Sequence, residues 1–407
     1  MNITELISEA EAELTQVFAG IDRAAFANQS KVLEAFQRHK ISDTHFNYAT
    51  GYGYNDKGRD ALDLVWADVF ESEAAFVRSS IASGTHAISI GLFGLLRPGD
   101  IMLSVTGRPY DTLTGVLGLK RAGIGSLRDF GVRYEQIELR GNKLDLPAIA
   151  GYLAGSAGVK IIFVQKSKGY QDRATLSCRE IGELVRLVRQ VKPEAYVVVD
   201  NCYGEFVEEH EPGYYGADMV IGSLIKNPGG GVAECGGYIA GTRKAVELAA
   251  HRLTAPLVGA EIGASLGATK NMFKGLFFAP HVVAQSLKTA ALAAYIYAGL
   301  GCEVSPGHGE ARFDIIQAIK FFDERGLVKF IQGIQAGSAI DSHVLPEPGD
   351  MPGYECKVIM ASGSFTQGSS IEISADAPVK PPYIAFMQGG LTYESGKFCL
   401  MKALEQN

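Results

Sequence analysis

Two apolar runs, each closing on a single charge, constrain this chain more than any other feature. Tyr196-Val197-Val198-Val199-Asp200 is β-branched or aromatic up to its last residue, as in a parallel strand covered on both faces. Asp218-Met219-Val220-Ile221-Gly222-Ser223-Leu224-Ile225-Lys226 is a second strand-like run, ending in an ammonium before Asn227-Pro228-Gly229-Gly230-Gly231. Further strand-like runs at 74–78, 100–104 and 161–165 alternate with helical stretches from Thr85, near Tyr110 and from Ser177. That alternation predicts an α/β fold, a mostly parallel sheet with helices on both faces. Such a sheet binds ligands at the carboxyl ends of its strands, so Asp200 and Lys226 belong to one edge.

An acid and a lysine at that edge suit pyridoxal phosphate, an electron sink that needs a lysine for a Schiff base and an acid for its ring nitrogen. The plain alternative is that Asp200 caps the next helix and Lys226 opens a solvated loop. Ser83-Gly84-Thr85-His86 precedes the apolar helical stretch 87–96 and presents free N–H groups where phosphate binds well, although Ser-Gly-Thr is also an ordinary cap. Ser223, three residues before Lys226, is placed to reach the same phosphate. Tyr110, in Gly107-Arg108-Pro109-Tyr110-Asp111-Thr112, either offers its plane to a pyridine ring or packs in the core. His86 likewise faces the ring or is a satisfied core histidine.

The 407 residues, 47% hydrophobic, suffice for one large and one smaller domain. Residues 1–50 read as an N-terminal helical arm suited to lying on a partner subunit, 51–280 as the large domain and 281–407 as a small α+β domain. Within the last, 312–335 reads as helix, 370–374 as an alternating stretch and 344–352 as a proline-rich loop. A net charge of −7 without a basic stripe argues against a nucleic-acid partner. The acidic amino terminus lacks a signal peptide's basic and apolar regions, and 289–301 is too short for a membrane span, so a cytoplasmic location and no membrane partner are expected. The six cysteines, at 178, 202, 235, 302, 356 and 399, are dispersed, without a pair spaced for zinc or redox work; no metal is expected.

Several segments together resemble the fold-type I pyridoxal-phosphate enzymes of the cystathionine/methionine γ-lyase group, and especially the methionine γ-lyase-like branch labelled aluminium-resistance proteins. They are 51–59 (Gly-Tyr-Gly-Tyr-Asn-Asp-Lys-Gly-Arg), 83–86, 199–203, 222–231, Gly259-Ala260-Glu261-Ile262-Gly263 with Phe277-Phe278-Ala279-Pro280-His281, and the carboxy-terminal 365–370 and 388–393. The resemblance implies that Lys226 forms the Schiff base, Asp200 pairs with the pyridine nitrogen and Tyr110 stacks on the ring. It gives phosphate to Gly84, Thr85 and Ser223, with Ser83 in the same cofactor-binding segment, and sets Cys202 against the other ring face. It further implies that Tyr54 and Arg59, less surely Tyr52, complete a neighbouring subunit's phosphate site in a homodimer or homotetramer. The implied activity is carbon–sulfur lysis of a sulfur-containing amino acid by β- or γ-elimination, releasing thiol, ammonia and a 2-oxo acid.

Two departures bear on substrate. Group members carry an arginine for the substrate carboxylate near the end of the chain, where this sequence has Ser370-Ile371-Glu372-Ile373-Ser374; Arg173, Arg108 and Lys380 are the available replacements. A cysteine desulfurase shares the fold, but that group has His before its lysine and Ile225 stands here. A nicotinamide dehydrogenase needs Gly-x-Gly-x-x-Gly after a strand, which is missing. A non-catalytic pyridoxal-phosphate-binding protein with a tolerance or regulatory role is the alternative from another class.

Overall fold

Side-chain caps set the first helix boundaries. Asn2 accepts from the Thr4 and Glu5 N–H groups to start α1 (Ile3–Glu13), and α2 (Thr15–Arg38) follows a break at Leu14. Asp56 caps α3 (Lys57–Val69) through the Arg59 N–H. In the computed structural model, which describes residues 2–121, 123–351 and 356–406, the first two helices pack on their own chain. Ile7, Ala10 and Leu14 join the small-domain core, Val32 and Ala35 the large one. The Asn28 amide donates to the Phe206 and Glu208 carbonyls.

The chain then runs through β1 (Ala74–Arg78), α4 (Gly84–Leu95), β2 (Ile101–Ser104), α5 (Asp111–Leu117), β3 (Arg133–Gln136), α6 (Leu146–Gly155) and β4 (Val159–Gln165). It continues through α7 (Cys178–Val191), β5 (Tyr196–Asp200), β6 (Met219–Ser223), β7 (Gly237–Gly241) and α8 (Arg243–Leu253). The seven strands form one sheet in the order β1-β7-β6-β5-β4-β2-β3. β7 is antiparallel to both its neighbours and the other pairs are parallel. Successive side chains of a strand point to opposite faces, and each face has its own core. Val197, Val199, Ile162, Val164 and Val220 enter one, while Val198, Ile161, Phe163, Met219 and Ile221 enter the other. Both faces are dry, which is why the runs are apolar without alternation.

α9 (Thr269–Gly299) is 31 residues long, about 46 Å at helical rise. Its first half packs in the large-domain core and Ala291 to Tyr297 in the small-domain core; residue 280 lies inside it. No helix among the described residues is long and apolar enough to cross a membrane. β8 (Glu303–Ser305), β9 (Gln317–Phe321), α10 (Glu324–Gly337), β10 (Val358–Ser362), β11 (Ser374–Pro378), β12 (Tyr383–Gln388) and α11 (Tyr393–Glu405) complete the chain. The second sheet is antiparallel throughout, in the order β10-β11-β12-β9-β8.

Three expectations need correction. The second apolar run leaves the ladder at Ser223, and Lys226 instead precedes a 3-10 turn, Asn227–Gly229. The stretch 312–335 is not one helix: β9 occupies its first half, and Asp323, accepting from the Gly326 N–H, starts α10 afresh. Residues 370–372 form a turn, and β11 begins only at Ser374. The proline-rich loop holds no helix or strand from 344 to 351; Pro352 lies outside the described residues.

α9 bears directly on the turn after Lys226. A methyl at Gly275 would collide with the Gly229 carbonyl, and one at Gly230, whose φ is +54°, with the Gly275 carbonyl. Gly275→Ala is therefore expected to lower stability by about 1–3 kcal/mol through overpacking. Gly151→Ala in α6, where an added Cβ meets nothing within 4 Å, should be neutral or stabilising by about 0.5–1 kcal/mol. Thermal melts of the two variants check this contrast, and equal melting temperatures would contradict it.

Candidate active site

Three adjacent parallel strands end on one edge. β4 closes with Gln165, β5 with Asp200 and β6 with Ser223, three residues before Lys226. The ladder pairs Gln165 with Asp200 and Asp200 with Ile221, so hydrogen bonds fix the order across the edge. Gln165 acts as a brace, its Oε1 accepting the Tyr110 N–H at 2.7 Å and its Nε2 donating to the Ser167 carbonyl at 3.1 Å. That seats Tyr110 at the head of α5. The amino terminus of α4 approaches from the other side, and the small sheet closes the space with Ser362, Ser374, Asp376, Gln388 and residues 368–370. The cavity is about 300 Å³, within the range of small-molecule sites.

The floor is a buried charge pair. The Lys226 ammonium lies 4.0 Å from the centroid of the Tyr203 ring, a cation–π contact. Burial opposes its charge, but the acidic groups around it, Cys202, Tyr203, Asp200 and Glu205, more than offset that and hold the amine above its usual range. Asp200 Oδ1 accepts the Cys202 N–H at 3.1 Å. Burial raises its carboxyl above the usual range, with Lys226 pulling the other way. Behind them Glu205 is pushed up to about 8 by burial and accepts the Tyr238 hydroxyl at 3.0 Å.

These residues fit pyridoxal phosphate on structural grounds. A primary amine and a carboxyl stand at neighbouring strand ends inside one cavity. Gly84 allows a close approach beside them: an added Cβ would touch Cys202 Sγ and Ser223 Cβ, both at 3.4 Å. The first turn of α4 thus closes against β5 and β6 with its N–H groups and the Thr85 hydroxyl at an anion-binding end. Thr85 Oγ1 is held by Thr112 Oγ1 at 2.7 Å.

Ser83, Gly84, Thr85, Tyr110, Asp200, Cys202, Ser223 and Lys226 all line the cavity. Tyr54 and Arg59 do not. Tyr52 and Tyr54 are exposed (75% and 70%), but Arg59 is turned inward rather than outward. Its guanidinium donates to the Gly51, Gly53 and Glu261 carbonyls and pairs with Asp60. His86 is a backbone anchor, Nδ1 accepting the Ala82 N–H. Arg173 cannot substitute for the missing carboxylate-binding arginine, because its guanidinium is spent on Gln171, Ala174, Gln165 and Ser167. Arg108 and Lys380 are exposed and outside the cavity lining.

Sequence reasoning missed Tyr203, Tyr170, Gln165 and Asp376. Tyr203 and Gln165 had a signal in their positions, three residues after Asp200 and at the end of β4. Tyr170 and Asp376 had none, since their hydroxyl–carboxylate bond of 2.8 Å joins residues 206 apart.

Asp376 carries a stability cost that predicts a pH effect. Burial raises its carboxyl to about 6, with hydrogen bonds from Tyr170 and Gln388 opposing. A folded-state value above the unfolded one means that the native state holds the proton more tightly. Stability therefore falls as pH rises from about 4 to about 6 and stays reduced above. Asp376→Asn, which cannot ionise, is expected to melt higher than the wild type at pH 7.5, by at most roughly 3 kcal/mol, with the gap closing near pH 4. Melts across that range check it, and a lower-melting variant at pH 7.5 would contradict the assignment.

The family model described as methionine gamma-lyase matches residues 3–407. The chain is 48% identical over 399 residues to the uncharacterized protein YnbB of Bacillus subtilis, covering 98% of this chain and 94% of that one. A crystal structure from Listeria monocytogenes, named provisionally as a cystathionine beta-lyase involved in aluminum resistance, superposes with a TM-score of 0.97 at 47% identity, covering 99% of both chains. A carbon-sulfur lyase involved in aluminum resistance from Clostridium novyi superposes with a TM-score of 0.95 at 45% identity, covering 99% of this chain and 95% of that one. With a match over nearly its whole length and the fold-type I architecture to go with it, the chain belongs to the methionine gamma-lyase family.

Proposed function

We propose that this protein is a pyridoxal-phosphate-dependent carbon–sulfur lyase acting by β- or γ-elimination on a sulfur-containing amino acid. The observation that carries the reading is the buried pair Asp200 and Lys226, at and just past adjacent strand ends, beside the amino terminus of α4, in a chain of this family. Lys226, Asp200, Tyr110, Ser83, Gly84, Thr85, Cys202 and Ser223 would hold the cofactor. When bound, it supplies an electron sink for the pair released when the substrate Cα loses its proton.

The chain's own residues supply the rest. Lys226 holds and moves the Cα proton, since its amine is the basic group on the cavity floor. Asp200 would hold the cofactor's ring nitrogen and favour its protonated form. Tyr110, seated by Gln165, and Cys202 would flank the cofactor. The small sheet excludes water: Ser369 Oγ donates to the Ile225 carbonyl at 2.8 Å and Tyr203 Oη lies 3.2 Å from Ser370 Oγ. The overall change splits a thioether amino acid with one water into thiol, ammonia and 2-oxo acid.

We further propose that the active unit is a homodimer or homotetramer in which the loop at 51–59 serves a neighbouring phosphate site. Tyr48, Tyr52, Tyr54, Leu257 and Leu266 are exposed around it, an apolar surface that suits a partner. Arg59 would hold the loop in shape while Tyr54 reaches across.

The purified protein should be yellow, and borohydride reduction followed by peptide mapping should place the pyridoxyl group on Lys226; a label on Lys166, Lys168 or Lys270 would sink the reading. Asp200→Ala should lower 2-oxo acid release from a sulfur amino acid panel by on the order of 100-fold or more. Parity with the wild type at saturating cofactor would refute its role. No release from any panel member by the labelled wild type would favour a non-catalytic cofactor-binding protein. Mixing inactive Arg59→Ala and Lys226→Ala chains under subunit exchange should restore activity; a site contained in one chain would regain none.

A further inference from the structure

The wall facing Lys226 is unusual in its charge. Among the described residues lining the cavity, the ionic side chains are Lys226, Asp200 and Asp376. If the first two serve the cofactor, as proposed above, the charge left to meet the substrate is an acid. Asp376 sits on β11 between Phe386 of β12 and Met360 of β10. It is 6% exposed and held by one oxygen: Oδ2 accepts the Tyr170 hydroxyl at 2.8 Å and the Gln388 amide at 3.1 Å. Gln388 Nε2 is fixed in turn by Ser374 Oγ at 2.7 Å. The second oxygen, Oδ1, is buried with no hydrogen-bond partner. Among the described residues the groups that act on it are the Tyr170 phenol and the Gln388 amide, with no cation among them.

A buried carboxylate oxygen without a donor is costly; the described residues supply donors to Oδ2 alone, and Asp376 lines the cavity, so a ligand donor that displaced the packing over Oδ1 would remove that cost. A ligand carboxylate would meet like charge there. A substrate's α-amine is committed at the Lys226 end of the cavity, so the donor that reaches Asp376 comes from elsewhere in the molecule.

We propose that Asp376 is a specificity-determining residue that selects amino acids bearing a second, distal ammonium, so that the lyase's substrates are sulfur amino acids whose far end carries a primary amine. Tyr170 and Gln388 are its positioning residues. The preference rests on the cofactor reading above, and the test keeps the two apart.

The cofactor-loaded protein is titrated calorimetrically with L-ornithine, L-norvaline and L-glutamate. These share an α-amino acid head, differ at the far end in carrying an ammonium, a methyl or a carboxylate, and lack sulfur to eliminate. L-ornithine is expected to bind on the order of ten-fold more tightly than L-norvaline, the worth of one charge-assisted hydrogen bond, with L-glutamate weakest. In Asp376→Asn the ornithine-to-norvaline ratio should fall toward one. Equal affinities in the wild type, a ratio that survives in the variant, or tightest binding of L-glutamate would each overturn the proposal. So would failure of all three to bind protein whose Lys226 takes the borohydride label. Absence of that label would instead overturn the cofactor reading, and the substrate inference with it.

Discussion

Everything at this site depends on holding an ammonium and a carboxyl inside an apolar sheet. Two charges taken out of water lose several kcal/mol of solvation each unless their surroundings replace it. Here the replacement is local: the Tyr203 ring under Lys226, the Cys202 N–H on Asp200 Oδ1, and the pair's own attraction. Tyr203 adopts φ +74°, a left-handed conformation rare for a bulky residue. That turn brings its ring beneath the lysine, and local strain at such a position is the usual companion of function.

The same constraint explains how the two sheets are joined. A buried lysine just past a strand end needs a roof, and the small sheet supplies it through an apolar cluster of Ile316, Ala318, Ile384 and Phe386 against Tyr170 and Tyr203 together with a few polar contacts. Ser369 bonds the carbonyl just before the lysine, Ser370 meets the Tyr203 hydroxyl, and Asp376 meets Tyr170. α9, running from one core to the other, sets the distance between them, and its glycine contact with the turn after Lys226 ties that distance to the lysine itself. Asp376 stands in this roof although burial raises its carboxyl to about 6, so it costs stability at neutral pH.

The large sheet was legible because its central strands are dry on both faces, so β5 reads directly as Tyr196–Asp200 and β1 as Ala74–Arg78. Lys226 was legible by its place after such a run, although the run overshot the true strand end by three residues. The small domain was harder. Ile315, Ile316, Ile319 and Phe321 precede the amphipathic α10 closely enough to look like its continuation, and the Asp323 cap that separates them is a single residue. Arg59 shows what sequence pattern alone leaves out. Arginine beside a glycine-rich loop suggests phosphate, and within this chain its guanidinium also holds the Gly51, Gly53 and Glu261 carbonyls. Asp376 lay beyond reach, because its setting comes from a tyrosine distant in sequence and from an oxygen that none of the described residues satisfies.

The central claim is that Lys226 and Asp200 form the two poles of one cofactor site. A crystal structure of the protein grown with pyridoxal phosphate tests it most directly. The account predicts density continuous from Lys226 Nζ to the cofactor, with its ring nitrogen within hydrogen-bond distance of Asp200 and its phosphate at the amino terminus of α4. Cofactor joined to another lysine, or seated at Lys226 with its ring nitrogen turned away from Asp200, would contradict it.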